Sequence, residues 1–143
     1  LRRALSDRST VTGRATGQYG ATVQPNATRF AFGGEPFGRA FEDTVMSGDS
    51  GFAVSAEIST RYPVDSPFMS GLIPFVFTDY GAVWDRRGPN RATATTLGSI
   101  GAGIRARLAY DTALEGILAA PIKTADGIAD PGLSAFFSLR TVF

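Results

Sequence analysis

Gly51-Phe-Ala-Val-Ser-Ala-Glu-Ile-Ser-Thr-Arg-Tyr62 alternates without a slip. Phe52, Val54, Ala56, Ile58, Thr60 and Tyr62 share one face, and Gly51, Ala53, Ser55, Glu57, Ser59 and Arg61 share the other. A period of two reads as an extended strand with one apolar and one polar face. Ordinary strands run to roughly 5–6 residues, whereas crossing a bilayer takes about 9–11. The length of this run fits the membrane.

The pattern recurs on both sides of that stretch. Over 10–21, Val11, Ala15 and Tyr19 oppose Thr12, Arg14, Thr16 and Gln18. Over 72–84, Leu72, Val76, Tyr80, Ala82 and Trp84 oppose Phe75, Phe77, Asp79 and Gly81. Over 96–110, Ile100, Ala102, Ile104, Ala106, Leu108 and Tyr110 oppose Ser99, Gly101, Gly103, Arg105 and Arg107. The terminal run 133–143 sets Leu133, Ala135, Phe137, Leu139, Thr141 and Phe143 against Ser134, Ser138 and Arg140. Residues 111–120 are open to two readings. Asp111 with Glu115 can open a helix, but Gly116 and Pro121 leave about ten residues, marginal for one. A strand over 114–122 is the preferred reading.

The links between these runs differ in length. Pro63-Val-Asp-Ser-Pro67 and Asp111-Thr112 are short, whereas 85–91, 123–132 and above all 22–49 are long and irregular. Short turns at one end and long loops at the other are how outer-membrane barrels are built. Tyr62, Tyr110 and Phe143 then fall at the short-turn end, suiting an aromatic girdle, and Trp84 marks the opposite rim. Every mid-strand charge (Arg14, Glu57, Asp79, Arg105, Arg107, Glu115, Arg140) lies on the polar face. A slip of one residue would put Arg105 and Arg107 into lipid at roughly 2–4 kcal/mol each. A soluble sandwich shares the alternation but requires neither the strand length nor the aromatic ends. The fold expected is an all-β transmembrane antiparallel barrel. Six strands leave unpaired edges that lipid does not tolerate, so this piece is expected to be the C-terminal part of a larger barrel.

Composition removes most chemistry. The 143 residues contain no Cys and no His, which excludes disulfides, Cys/His zinc sites and every histidine-dependent triad. Gly48-Asp49-Ser50-Gly51 has the letters of a serine-protease nucleophile motif, yet no histidine is present to act as base, and the stretch reads as a loop-to-strand entry. Gly98-Ser-Ile-Gly101-Ala-Gly103 lacks the spacing of a dinucleotide loop. No cofactor and no catalytic residue are expected. A net charge of +1 gives no nucleic-acid-binding surface.

The loop run Phe30-Ala-Phe-Gly-Gly-Glu-Pro-Phe-Gly-Arg-Ala-Phe-Glu42 and the strand Phe75-Val-Phe-Thr-Asp-Tyr-Gly-Ala-Val83 carry a resemblance. With Gly48-Asp49-Ser50-Gly51 between them, they resemble the C-terminal barrel of two-partner secretion transporters, the hemolysin secretion/activation family. In that family Gly-Gly precedes a Val-Arg-Gly-Tyr-type motif in a loop folded into the barrel. Gly33 and Gly34 match the glycines, and Arg39 and Phe41 match the motif. Gly38 stands where the family has valine, and Ala40 where it has glycine. The family's Phe-x-Asp-x-Gly strand motif is matched by Phe77, Asp79 and Gly81.

The resemblance implies an outer-membrane pore component that exports a large partner protein. Arg39 would lock the loop on Asp79, with Glu57, Arg105 and Arg107 as lumen charges. The alternation ending in Phe137, Leu139 and Phe143 resembles the signal read by the barrel-assembly machinery. Implied partners are the secreted protein, outer-membrane lipid and that machinery. Alternatives are an insertase of the same superfamily and a passive porin or adhesion barrel. From the residues alone another pairing stays open: Arg39 solvated, and Asp79 on Arg105 or Arg107.

Overall fold

The computed structural model describes residues 1–86, 94–109 and 112–141. Tyr110 and Phe143 of the expected girdle, Asp111 of the expected turn and positions 87–91 of the charged link lie outside the described residues. The strands are β1 (Arg2–Ala4), β2 (Ser9–Gln18), β3 (Phe30–Phe32), β4 (Met46–Gly48), β5 (Ser50–Thr60), β6 (Tyr62–Pro63), β7 (Met69–Trp84), β8 (Thr95–Leu108), β9 (Thr112–Lys123) and β10 (Ser134–Thr141). One antiparallel sheet runs in the order β1-β2-β5-β7-β8-β9-β10, with β6 also on β7. β3 and β4 form a separate two-stranded hairpin. The architecture is all-β and antiparallel, as expected, and the sheet is not closed on itself. No helix among the described residues is long and apolar enough to cross a membrane, which leaves crossing by strands untouched.

Several boundaries differ from the sequence reading for local reasons. The run 51–62 is divided at Arg61, which still donates its N–H to the Arg8 carbonyl at 2.8 Å, one step beyond the Ser9–Thr60 pair of β2 and β5. Tyr62 and Pro63 then rejoin β7 opposite Leu72 and Gly71. β2 stops at Gln18, short of residue 21, because the Gly20 N–H turns to Ser50 Oγ at 3.0 Å. β1 is too short to show alternation in sequence. β7 starts at Met69, with a register shift before Gly71. Residues 112–123 form a strand paired on both sides, with β8 and with β10. Inside the irregular stretch 22–49 lie a 3-10 turn (Asn26–Thr28) and the β3–β4 hairpin.

Burial is inverted relative to a soluble sheet. On β5 the apolar Phe52, Val54 and Ile58 are exposed, while Ser55 and Glu57 are only 4% exposed. The register carries this across the sheet: Ile58 faces Val76, Val76 faces Ala102, and Ala102 faces Leu118. Val76, Ile100, Ile104, Leu118 and Ile122 are all exposed on this outer face. Such a band is what a barrel wall presents to lipid.

The other face is covered by the protein's own loop. Phe30, Phe32, Phe41 and Met46 from the loop pack with Phe75, Phe77, Leu97 and Ile117 from the wall into one buried cluster. The hydrophobic effect therefore folds the loop onto the polar side of the sheet, at about 25 cal/mol per Å² of apolar surface removed from water.

Candidate functional site

The loop leaves the sheet at Gln18 and returns at Ser50, the end of the sheet that also holds Trp84. Its tip reaches Asp79, five residues down β7 from Trp84, or about 17 Å at the rise of an antiparallel strand. Gly33 and Gly34 adopt φ of 132° and 70°, and Gly38 adopts 92°, so the turns around the tip lie in a region L side chains rarely enter. Gly38 thus takes the valine position of the family motif with a backbone conformation that suits glycine.

Arg39 is 3% exposed and makes four side-chain hydrogen bonds. Its Nη2 and Nε donate to the two oxygens of Asp79 at 2.8 and 3.0 Å, a bidentate pair. Nη1 donates to Glu57 Oε2 at 3.0 Å, and Nη2 also donates to Ser55 Oγ at 3.1 Å. Asp79 is itself enclosed. Its Oδ2 further accepts the backbone N–H groups of Gly38 and Arg39 at 3.2 and 3.1 Å and the Ser99 hydroxyl at 3.2 Å. The guanidinium carbon lies 3.4 Å from the centre of the Phe77 ring, a desolvated cation–π contact.

A second guanidinium extends the network. Arg105 donates to both oxygens of Glu57, at 2.6 and 3.1 Å, and to Glu115 through Nε. It lies over Phe75 at 3.7 Å. The charges therefore alternate along the wall as Asp79, Arg39, Glu57, Arg105 and Glu115. Such a chain satisfies each buried charge, where a single unpaired one would cost several kcal/mol.

Small residues in the neighbouring strand make room for the two rings. Phe77 pairs with Gly101 and Phe75 with Gly103. A Cβ on Gly101 would lie 2.4 Å from the Phe77 ring, and one on Gly103 would lie 2.4 Å from Phe75. Gly81 completes the Phe77-Thr78-Asp79-Tyr80-Gly81 motif by receiving Phe32, since a Cβ there would lie 2.2 Å from that ring. The motif thus supplies a ring under Arg39, a carboxylate for it and a bare backbone for the loop's own aromatic.

A family model described as haemolysin secretion/activation protein ShlB/FhaC/HecB matches residues 4–106. The chain belongs to that family. The matched span runs from β1 to near the end of β8 and includes the loop, Arg39 and Asp79. The ShlB/FhaC/HecB family is one of two-partner secretion transporters rather than enzymes, and its transporters reside in the outer membrane of Gram-negative bacteria. Comparison with curated proteins gave no match.

The remaining residues singled out from the sequence are distributed as follows. Arg107 is exposed and has no ion pair among the described residues; with Arg14 and Arg140 it lines a cavity of about 460 Å³ below the loop tip. The alternative pairing of Asp79 with Arg105 or Arg107 is not what the structure has. Phe137 and Leu139 stand exposed on the outer face of β10, and Phe143 lies outside the described residues. Phe41 is buried, 2% exposed, beside the loop tip.

Sequence reading missed the hydroxyls and the rings' role. Ser55, Asp79 and Ser99 occupy one rung of β5, β7 and β8. Their shared polar face was visible in the alternation, but the register that aligns them was not.

Proposed function

We propose that this chain forms wall and loop of an outer-membrane pore that exports a large partner protein of the haemolysin type. The observation that carries the reading is the Arg39 guanidinium, buried between the loop and the covered face of the sheet and shared between Asp79 and Glu57. A surface loop tethered for stability alone has no need to bury a cation about 17 Å from the rim. A loop that fills a conduit at rest and must be released does. The ion pairs suit reversible seating. They are directional enough to define one docked position, and water entering the lumen can replace them.

In this reading the polar face of the sheet is the conduit and the exposed apolar face meets outer-membrane lipid. Phe137, Leu139 and Phe143 form the end read by the barrel-assembly machinery. The passenger is an unfolded polypeptide passing the polar wall, and no covalent step is involved.

The test is secretion by the full-length transporter. Arg39→Ala and Asp79→Ala should each lower export of the partner while the protein still inserts and shows heat-modifiable migration. Unchanged export by both variants would contradict the role given to the pair.

A further inference from the structure

The loop is held at its feet as well as at its tip. Asp49, between β4 and β5, is 1% exposed, and its two oxygens bind different segments. Oδ1 accepts the Gln24 N–H at 2.8 Å, from the outgoing limb of the loop. Oδ2 accepts the Arg86 N–H at 2.8 Å, from the chain just past β7. Arg86 closes the circuit by donating Nε to the Gly20 carbonyl at 2.7 Å, with its guanidinium 4.6 Å from the Tyr19 ring centre. Gly20 in turn donates its N–H to Ser50 Oγ. A Cβ on Gly20 would lie 2.4 Å from the Asp49 carbonyl oxygen, so this approach needs glycine.

Arg29 adds a second layer. Its Nη2 donates to Asp85 Oδ1 at 2.7 Å and to the Ser47 carbonyl at 2.9 Å, and its Nη1 lies 3.8 Å from Asp49. The Asp49 N–H points at Asp85 Oδ1 at 3.4 Å. The charged groups around Asp49 are therefore Arg29, Asp85 and Arg86. The Gly48-Asp49-Ser50-Gly51 stretch, an ordinary strand entry by sequence, is the knot of this cluster. Among the described residues, no hydrogen bond or ion pair joins it to the Arg39 network.

We infer that Asp49 is a positioning residue: it clamps both limbs of the loop to the exit of β7, making a fixed pivot about which the tip seats in the lumen. With the feet held together the tip has one approach to Asp79. With the feet parted the long excursion between Gln18 and Ser50 samples many, and closing it costs chain entropy that the tip contacts must offset. This rests on the reading of the loop as a seated lock.

The test uses spin labels on the full-length transporter, which needs no knowledge of the passenger. A label at Phe37→Cys reports the tip, and one at Thr22→Cys reports the outgoing limb. Asp49→Asn should mobilise both labels, raising the unseated tip population about tenfold, the scale of one charge-assisted hydrogen bond. Arg39→Ala should mobilise the tip label and leave the limb label unchanged. Asp49→Glu, which keeps the charge on a longer stem, should recover part of the effect, and heat-modifiable migration of each variant identifies those that assemble. A tip label unmoved by Asp49→Asn, in a protein whose tip is freed by Arg39→Ala, would overturn the clamp and leave the lock standing. A tip freed by Asp49→Asn with export unaffected by Arg39→Ala would do the reverse.

Discussion

Arg39 trades its hydration for four side-chain hydrogen bonds and a ring, and the fork of the guanidinium is what allows this. A lysine is a single strongly hydrated point charge and cannot bridge Asp79, Glu57 and Ser55 at once. Arg39→Lys should therefore unseat the loop nearly as far as Asp79→Ala, whose cost is on the order of 3–5 kcal/mol because it leaves a buried cation without its main partner. Protease accessibility of the loop in the inserted protein measures both, and a fully protected Arg39→Lys loop would show that charge alone suffices.

At the feet, the backbone N–H groups of Arg86 and Gln24 hold the Asp49 carboxyl below its ordinary range, with Arg29 and Arg86 adding to the effect against the cost of burial. A depressed carboxylate contributes stability above its unfolded value and loses it as pH falls through the folded one. The clamp should thus hold from neutral pH down past about 4, the ordinary aspartate value, and loosen only below it. The Thr22→Cys spin label should report that transition, and Asp49→Asn should remove it.

The strands themselves were legible from alternation, because a sheet with apolar side chains exposed on one face and polar groups buried on the other imposes period two with little interference. Residues 112–123 are where alternation spoke least clearly, although a strand over 114–122 was the preferred reading. Local propensity allowed a helix, and only pairing to β8 and β10 makes the strand. The site was legible in part. Alternation put Glu57, Asp79, Arg105 and Glu115 on one face, and the resemblance put Arg39 near Asp79. Neither could give Glu57 as the shared partner of Arg39 and Arg105, since that depends on where the long loop between Gln18 and Ser50 lands. The glycines of β8 were equally opaque. Gly98, Gly101 and Gly103 lack the spacing of a dinucleotide loop and nothing in the sequence ties them to aromatic rings, yet two of them make room for the rings beneath the arginines. Gly101→Val should crowd both the Phe77 ring and the Leu118 carbonyl of β9, costing about 1–3 kcal/mol of overpacking and freeing the loop tip, while Gly116→Val, with open space around it, should not. Loop proteolysis of the two variants checks this, and equal effects would contradict the packing argument.

At the scale of the whole molecule, the two faces of one sheet differ in what covers them. The outer face is apolar and exposed, the inner face is charged and covered, and the covering is a loop from the same chain. Absence of Cys and His fits such a division of labour and also makes the chain convenient to probe. In the proposed resting state the loop sits on the polar face of the sheet, held there by Arg39 on Asp79. Phe32 Cγ lies 2.9 Å from where a Cβ on Gly81 would be, within reach of a disulfide. The most direct measurement is therefore oxidative cross-linking of Phe32→Cys with Gly81→Cys in the full-length transporter in the outer membrane. The bridge should form readily in the resting protein and fall sharply when Asp79→Ala is added. A bridge that does not form, or one indifferent to Asp79→Ala, would contradict it.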